Sequence, residues 1–324
     1  MTAPVIWGVM SCFRPEDDVL HAAMTALAQL DALVVVDDGS GAASDRVLNA
    51  LAEHGVPVLR QPENAGIGAA LNRGVAHALD AGAEFVVTLD QDSSLPDDAV
   101  HRLHEAYLHA AATLPVGAVV PEYFAGVRQA RGEIAPGVWA SANVIQSGML
   151  IPRAVWERQG GFREDFFIDL VDTEYEFRLT RARLPIVAAP GVRMGHRLGT
   201  ALERRLFGRR FGIRGLLPDE VTVSTPFRYY YRRRNRIVLN REYAGSFRAR
   251  VLRDTILDHL HFVNVLMLAQ PRGALRRLLR EGRRAGRRAA MGRMPQQLME
   301  LAAGISWNAP RVTEPSADPD RDRP

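Results

Sequence analysis

Leu33-Val34-Val35-Val36-Asp37-Asp38-Gly39-Ser40 sets four consecutive apolar residues against two acids, a glycine and a serine. The apolar run is short and rich in β-branched residues, so it reads as a buried strand, and the polar end reads as a turn. The same grammar returns at Phe85–Leu89, which ends in Asp90-Gln91-Asp92-Ser93. Val5–Val9, Val56–Leu59 and Gly117–Val120 are further short apolar runs, and helical spacings fill Val19–Leu30, Asp45–His54, Ile67–Leu79 and Asp97–Ala112. Strands alternating with helices predict an α/β fold, a parallel sheet with helices on both faces. In such sheets ligands bind outside the carboxyl ends of the strands. Both acidic clusters fall at that end.

Further along, Val138–Ile145 is a candidate strand and Ser147-Gly148 a turn. The spacing predicts a helix over Asp172–Arg183, a strand over Ile186–Ala189 and a loop at Gly195-His196-Arg197-Leu198-Gly199. Beyond about residue 200 Arg-rich amphipathic patterns replace the strand signal. Pro310–Pro324, rich in Pro, Asp and Arg, reads as a disordered tail. The expected organisation is a catalytic domain over 1–200, a basic helical extension over 201–309 and a tail over 310–324.

The 324 residues carry 41 basic and 37 acidic side chains, for a net charge of +4, and every basic one is arginine. Residues 1–200 hold 15 Arg and 25 acids, whereas residues 201–300 hold 23 Arg and 8 acids. An acidic body therefore precedes a basic back end. The content of 47% hydrophobic and 24% charged residues excludes general disorder. A single cysteine, Cys12, excludes an intramolecular disulfide framework and favours a cytoplasmic setting. Met1–Pro4 lacks a basic leader, so no signal peptide is expected. No apolar run reaches the roughly 18 residues of a membrane span. The nearest, Ile256–Ala269, is broken by Asp258, His259, His261 and Asn264.

Several clusters can carry chemistry. Asp90 and Asp92, two apart after a buried strand, can converge on a hard cation such as Mg²⁺, whose other positions go to phosphate oxygens and water. A solvated turn leading into a helix start at Pro96-Asp97-Asp98 explains them as well. Asp37 and Asp38 can accept hydrogen bonds from a base or ribose, or simply make a turn. Asn64-Ala65-Gly66-Ile67-Gly68 places small residues at a loop-to-helix junction, where main-chain N–H groups can approach phosphates or where helix and sheet can pack closely. In Phe166–Tyr175, Asp169 and Asp172 lie among aromatics. Burial there raises a carboxyl's pKa and suits it to general-base work, while N-capping is the plainer role. His196, beside Gly195, can complete a metal site with Asp90 and Asp92.

In this order the pieces (D-D-G-S, N-x-G-x-G-x-x-x-N-x-G, D-x-D, an S-G turn, an acidic helix start, then His-x-x-Gly) resemble the family 2 glycosyltransferases of the GT-A fold over roughly residues 5–200. Leu89–Ser93, Phe167–Glu174 and Tyr230-Tyr231-x-x-Arg234-Asn235 look like the bacterial L-rhamnosyltransferase branch. The resemblance implies a Rossmann-like nucleotide-sugar-binding sheet with flanking helices and a C-terminal helical, Arg-rich extension. It implies that Asp38, with Asp37 beside it, meets the pyrimidine and that Asn64 and Gly66 line the nucleotide pocket. Asp90 would contact ribose or metal, Asp92 a divalent cation (Mg²⁺ or Mn²⁺), and His196 the metal or diphosphate. Asp172 would be the catalytic base, with Asp169 and Glu174 orienting base or acceptor. Cys12-Phe13-Arg14-Pro15 departs from the family's usual Thr-Tyr-Asn-Pro, which leaves Ser11 or main chain to meet the base.

The implied activity is inverting transfer of a sugar, L-rhamnose from dTDP-L-rhamnose, to a hydroxyl of a glycan or lipid-linked acceptor in cell-envelope synthesis. A family 2 transferase using a UDP- or GDP-sugar, such as a galactofuranosyl donor, is the alternative. Leu275, Leu278 and Leu279 alternate with arginines up to Arg288, as in an interfacial helix on the cytoplasmic face of an anionic membrane. A helical bundle with a solvated Arg face, or an oligomer contact, fits equally. Tyr229–Tyr231 beside Arg232–Arg234 raises a nucleic-acid-binding reading. No nucleic-acid module accompanies it, and no nucleic-acid partner is expected.

Overall fold

The computed structural model describes residues 4–196, 199–206, 209–210, 212 and 219–312. The side chain of His196 and residues 313–324 of the expected tail lie outside that description, as do most side chains of the basic stretch between Arg205 and Leu217. The chain forms two compact units. One comprises Met1–Arg197, Arg241–Ser246 and Ala289–Arg293, and the other the remainder.

In the first unit, β1 (Ile6–Cys12), α1 (Asp18–Leu27), β2 (Ala32–Asp37), α2 (Asp45–Glu53), β3 (Val58–Arg60), α3 (Ile67–Asp80) and β4 (Phe85–Asp90) alternate as expected. The short β5 (Ser93–Ser94) and α4 (Ala99–Ala111) follow, then β6 (Ala118–Phe124), β7 (Val127–Arg128), β8 (Ala130–Ala135), β9 (Val138–Ser141) and β10 (Met149–Pro152). α5 (Arg153–Gln159), α6 (Val171–Arg181) and β11 (Ile186–His196) complete the unit's regular elements up to residue 196. The main sheet runs β3-β2-β1-β4-β10-β6-β11-β9-β8.

The sheet is mixed rather than wholly parallel. β10 lies antiparallel between β4 and β6. The Ser147-Gly148 turn accounts for this: Gly148 has φ +78° and its N–H donates to the Thr88 carbonyl at 2.7 Å, which turns the chain back along β4. A Cβ at Gly148 would lie 2.1 Å from the Met194 sulfur. β11 runs through His196, so the loop expected at residue 195 is the end of a strand. Val9, Val34, Val35, Val36, Val86 and Val87 are wholly buried, as near-continuous apolar strands covered on both faces must be.

α3 links this sheet to the segment before α6. Gly74 lets α3 sit on β1 and β2, where a Cβ would meet Val9 at 2.4 Å and Val36 at 2.9 Å. Two residues earlier, the Asn72 side chain donates to the Phe162 carbonyl at 3.0 Å and accepts from the Phe162 N–H at 2.8 Å. At Gly68 a Cβ would meet the Arg163 carbonyl oxygen at 2.8 Å. The glycine and asparagine spacing in this helix is thus a seat for residues 162–167.

In the second unit, Thr200–Glu203 pairs with Glu220–Val223. Pro310 and Val312, expected in the tail, hydrogen-bond Glu203 and Ala201. α7 (Arg228–Leu268), of which Arg241–Ser246 belongs to the first unit, kinks at Phe247, followed by α8 (Arg272–Arg288) and α9 (Gln296–Ala303). Tyr229, Tyr230 and Tyr231 are buried, Arg234 is fully buried beside the rings of Tyr230 and Tyr231, and Arg232 pairs with Asp258 at 2.6 Å. These rings are core and offer no stacking platform. Leu275 and Leu278 of α8 are fully buried, so the helix presents its arginines outward and its leucines to the protein. This is the arrangement of a packed helix with an outward Arg face.

Asn72→Ala leaves the Phe162 N–H and C=O without their partner. Given the cost of about 1–3 kcal/mol for an unsatisfied buried group, it is expected to destabilise the protein by about 2 kcal/mol in denaturant titrations, with circular dichroism unchanged before the transition.

Candidate functional site

The carboxyl ends of β2, β1 and β4 lie side by side, with Cys12 in register with Asp37 and Ser11 with Asp90. The loop after β1 bridges the two acidic turns. Its Phe13 N–H donates to Gln91 Oε1 at 2.7 Å and its Arg14 N–H to Ser40 Oγ at 2.6 Å. Main chain from Cys12-Phe13-Arg14 is thereby committed to holding both turns. Cys12 is buried beside Asp37 and Asp38. Burial first, then those two charges, pushes its thiol up to about 12, so it is inert as a nucleophile.

Asp37 accepts from the Ser40 hydroxyl and N–H, closing the turn. Asp38 is buried, and its two oxygens accept from the main-chain N–H groups of Ala65 at 2.8 Å and Gly66 at 2.9 Å, and from Gln61 Nε2 at 3.0 Å. Burial raises its pKa, while these N–H groups and the Arg293 guanidinium pull the other way. Asp38 therefore organises the loop that carries Asn64 and Gly66. Gly66 has φ +96°, and a Cβ there would lie 2.3 Å from the Phe167 carbonyl oxygen, which accepts from the Ile67 N–H at 2.9 Å. Asn64 Oδ1 is buried, and no partner within the described residues satisfies it. A buried acceptor left open at this end of the sheet points to a ligand donor.

Asp90 is half-buried. Its N–H donates to Ser147 Oγ at 3.0 Å, and Gln146 Nε2 donates to its Oδ1. Gln146 is buried and its Oε1 has no partner among the described residues, a second open acceptor beside the Asp-x-Asp turn. The sequence offered one signal for it, its place next to Ser147-Gly148. Asp92 is exposed, and the neighbouring β5 pairs with β11 so that Ser93 faces His196 in the main-chain register. Among the described residues no three His, Cys, Asp or Glu side chains group closely enough to hold a metal. The His196 side chain is not among them. The donor set, two carboxylates with an imidazole-bearing residue brought alongside by strand pairing, fits a divalent cation in its chemistry.

The second acidic cluster follows α3's seat. Phe167, Asp169 and Leu170 have φ of +65°, +65° and +63°. Three non-glycine residues in the left-handed region within four positions store strain of order 1–3 kcal/mol each, a pattern that gathers at functional sites. They deliver Asp169 and Asp172 to the start of α6. The Asp172 carboxyl accepts from the Thr173 N–H at 2.7 Å. Desolvation pushes its pKa up to about 6, the Asp169 and Glu176 carboxylates add to the rise, and Thr173 opposes it.

Glu174 faces inward. It is buried, paired with Arg178 at 2.6 Å, and accepts from the Tyr243 hydroxyl at 2.7 Å. Arg178 Nη1 donates to the Gln159 and Gly161 carbonyls, both at 2.8 Å. Through Arg178 and Tyr243, Glu174 braces α6, the helix that begins at Val171 beside Asp172. Buried Glu176, which sequence reasoning passed over, accepts from the Val144 N–H at 3.3 Å.

Residues 9–168 match the family described as Glycosyl transferase family 2. The chain is similar to the dTDP-rhamnosyl transferase RfbF of Shigella flexneri, 27% identical over 253 residues that cover 73% of this chain and 80% of that protein. It is also similar to the crystal structure of S. aureus TarS, with a TM-score of 0.50 at 14% identity over 81% of this chain. This chain spans 45% of that one, and the likeness concerns the fold.

Asp172→Asn is expected to stabilise the protein at neutral pH. The folded pKa, about 6, lies above the ordinary value of 3.8. The folded state therefore binds the proton more tightly, and ionising Asp172 costs stability as pH rises through that window. Melting temperatures of wild type and variant should coincide near pH 4, diverge as pH rises to about 6 and differ by a constant amount above it. A difference independent of pH would contradict the assignment.

Proposed function

Starting from a family 2 glycosyltransferase domain over residues 9–168, we propose that this glycosyltransferase moves L-rhamnose from dTDP-L-rhamnose onto a hydroxyl of a glycan or lipid-linked acceptor of the cell envelope. The likeness to a dTDP-rhamnosyl transferase over most of both chains supports the donor. The observation that carries the mechanism is Asp172, a carboxyl pushed up to about 6 at a strained helix entrance.

The nucleotide lies across the ends of β2, β1 and β4 in this reading. Asn64 Oδ1 and Gln146 Oε1, open acceptors at this end of the sheet, take hydrogen bonds from its base, ribose or sugar hydroxyls. Asp37 and Asp38 hold the loops that shape the pocket. Asp90, Asp92 and His196 would hold Mg²⁺ or Mn²⁺, which when bound offsets the negative charge gained by the departing diphosphate. Asp172 removes the acceptor hydroxyl proton on the face opposite the leaving group. A base titrating near 6 is mostly ionised at neutral pH yet still basic enough to take a proton as the oxygen attacks. The bond from acceptor oxygen to the anomeric carbon forms as the bond to diphosphate breaks, so configuration inverts through an oxocarbenium-like state. Asp169 keeps the Asp172 proton affinity high, and Glu174 with Arg178 and Tyr243 fixes the helix that carries it. In this reading the protein works on the cytoplasmic side, with a nucleotide-sugar donor.

Asp172→Asn should bind donor as wild type does and lose about 10²–10⁴-fold in kcat, the usual share of positioned base catalysis. Unchanged kcat removes Asp172 from this role. In a panel of nucleotide sugars with Mg²⁺, dTDP-rhamnose should raise the melting temperature most, since a ligand of the native state stabilises by mass action. A larger response to a UDP- or GDP-sugar assigns a different donor. Asp92→Ala should abolish the Mg²⁺-dependent part of dTDP binding in calorimetry, and binding equally dependent on Mg²⁺ in variant and wild type would exclude Asp92 as a ligand.

A further inference from the structure

The second arm of α7, after the kink at Phe247, folds back along the first. Arg232 and Arg236 reach Asp258, and Asn240 Nδ2 donates to Thr255 Oγ1 at 2.6 Å. Val251, Asp254, Asp258, Phe262 and Val265 of this arm are buried. The opposite face is apolar and bare. Leu252, Ile256, Leu260, Val263 and Met267 are 59%, 50%, 57%, 56% and 52% exposed. At about 100° per residue these five fall within an arc of about 80°, along a stripe of about 22 Å. Leu257, 55% exposed, widens one edge. Apart from Phe13, Leu108, Val127 and Ile134, these six are the exposed large apolar side chains among the described residues. Such a contiguous patch marks an interaction surface, whereas scattered ones need no account.

The charge around the stripe selects the occupant. The arm contains two acids, Asp254 and Asp258, and both are turned inward against arginines. Exposed Arg248 and Arg253 flank its beginning and exposed Arg272 follows its end, with Arg253 also touching Asp254. In the same unit α8 turns Arg276, Arg277, Arg280, Arg283, Arg287 and Arg288 to solvent. The arm therefore presents an apolar stripe with cations at its ends and no exposed carboxylate. A second copy would bring the same cations and no acid to meet them. Lipid acyl chains topped by anionic headgroups complement both.

We infer that the outward face of this arm lies in the headgroup region of an anionic membrane, with Leu252, Ile256, Leu260, Val263 and Met267 dipping into the acyl boundary and the arginines at headgroup level. This puts the membrane contact on α7, whereas Leu275 and Leu278 of α8 are core. The inference rests on the exposed face alone and is independent of the donor.

The test is co-sedimentation of the full chain with vesicles of phosphatidylcholine alone or with about 30% phosphatidylglycerol, at about 0.1 M salt, without donor or acceptor. Wild type should sediment with the anionic vesicles, weakly with the neutral ones, and be released by high salt. Leu260→Glu/Met267→Glu should lower binding to anionic vesicles more than tenfold at an unchanged melting temperature, and Leu260→Gln/Met267→Gln serves if the first pair lowers that temperature. Arg248→Gln/Arg272→Gln should lose part of the preference for phosphatidylglycerol. Wild type remaining in the supernatant, or apolar-to-polar variants that sediment as wild type does, overturns the inference. So does a wild-type dimer in sedimentation equilibrium that the same variants dissociate without any vesicle binding, which assigns the face to a second copy.

Discussion

The amide of Asn72 grips the main chain of Phe162 from both sides, and much of the candidate site hangs on that grip. α3 touches β1 and β2 through Gly74, and it carries residues 162–167 on Gly66, Gly68 and Asn72. One helix thus couples the strand ends that hold Asp37, Asp38 and Asp90 to the strained entrance that delivers Asp169 and Asp172. The close approaches leave no room for side chains, and the positive φ values after Phe166 persist because the surrounding contacts fix them. Precision between a nucleotide end and a base is what a displacement reaction requires, since attack depends on alignment of the reacting atoms.

Electrostatics divides the carboxylates by task. Asp37, Asp38 and Glu174 are spent on turns, loops and an ion pair with Arg178. Asp172 has a main-chain donor, two acidic neighbours and a half-buried, desolvating setting, so its proton is held more tightly than an ordinary aspartate holds one. Asp92 stays exposed at the edge. A similar division holds among the arginines. Arg232 and Arg236 neutralise buried acids inside the helical unit, whereas those of α8 face water.

The alternation of strands and helices was legible because apolar runs ending in acids, such as Val34–Asp38 and Val86–Asp90, have few other uses. The direction of Met149–Pro152 was not, since a buried antiparallel strand carries the same apolar run as a parallel one. Asp172 announced itself by lying among aromatics. Glu174 looked equivalent two residues on, and its inward turn depends on Tyr243, far away in sequence. Gln146 had no motif of its own. In the basic region charge drew the eye to 275–288, where Leu275 and Leu278 are core and Leu279 is half-buried. Ile256–Ala269 read as a failed membrane span because of Asp258, His259, His261 and Asn264, yet Asp258 turns inward and His259 lies at the edge, so the arc from Leu252 to Met267 stays apolar.

The central claim is that Asp172 takes the acceptor proton with a pKa raised by its surroundings. The pH dependence of kcat/KM tests it most directly, measured for wild type and Asp169→Asn with dTDP-rhamnose. The account predicts an acid limb with an apparent pKa of about 6 in wild type, moving lower in Asp169→Asn as a neighbouring negative charge is removed. A limb at the ordinary aspartate position, or one that Asp169→Asn leaves in place, would contradict it.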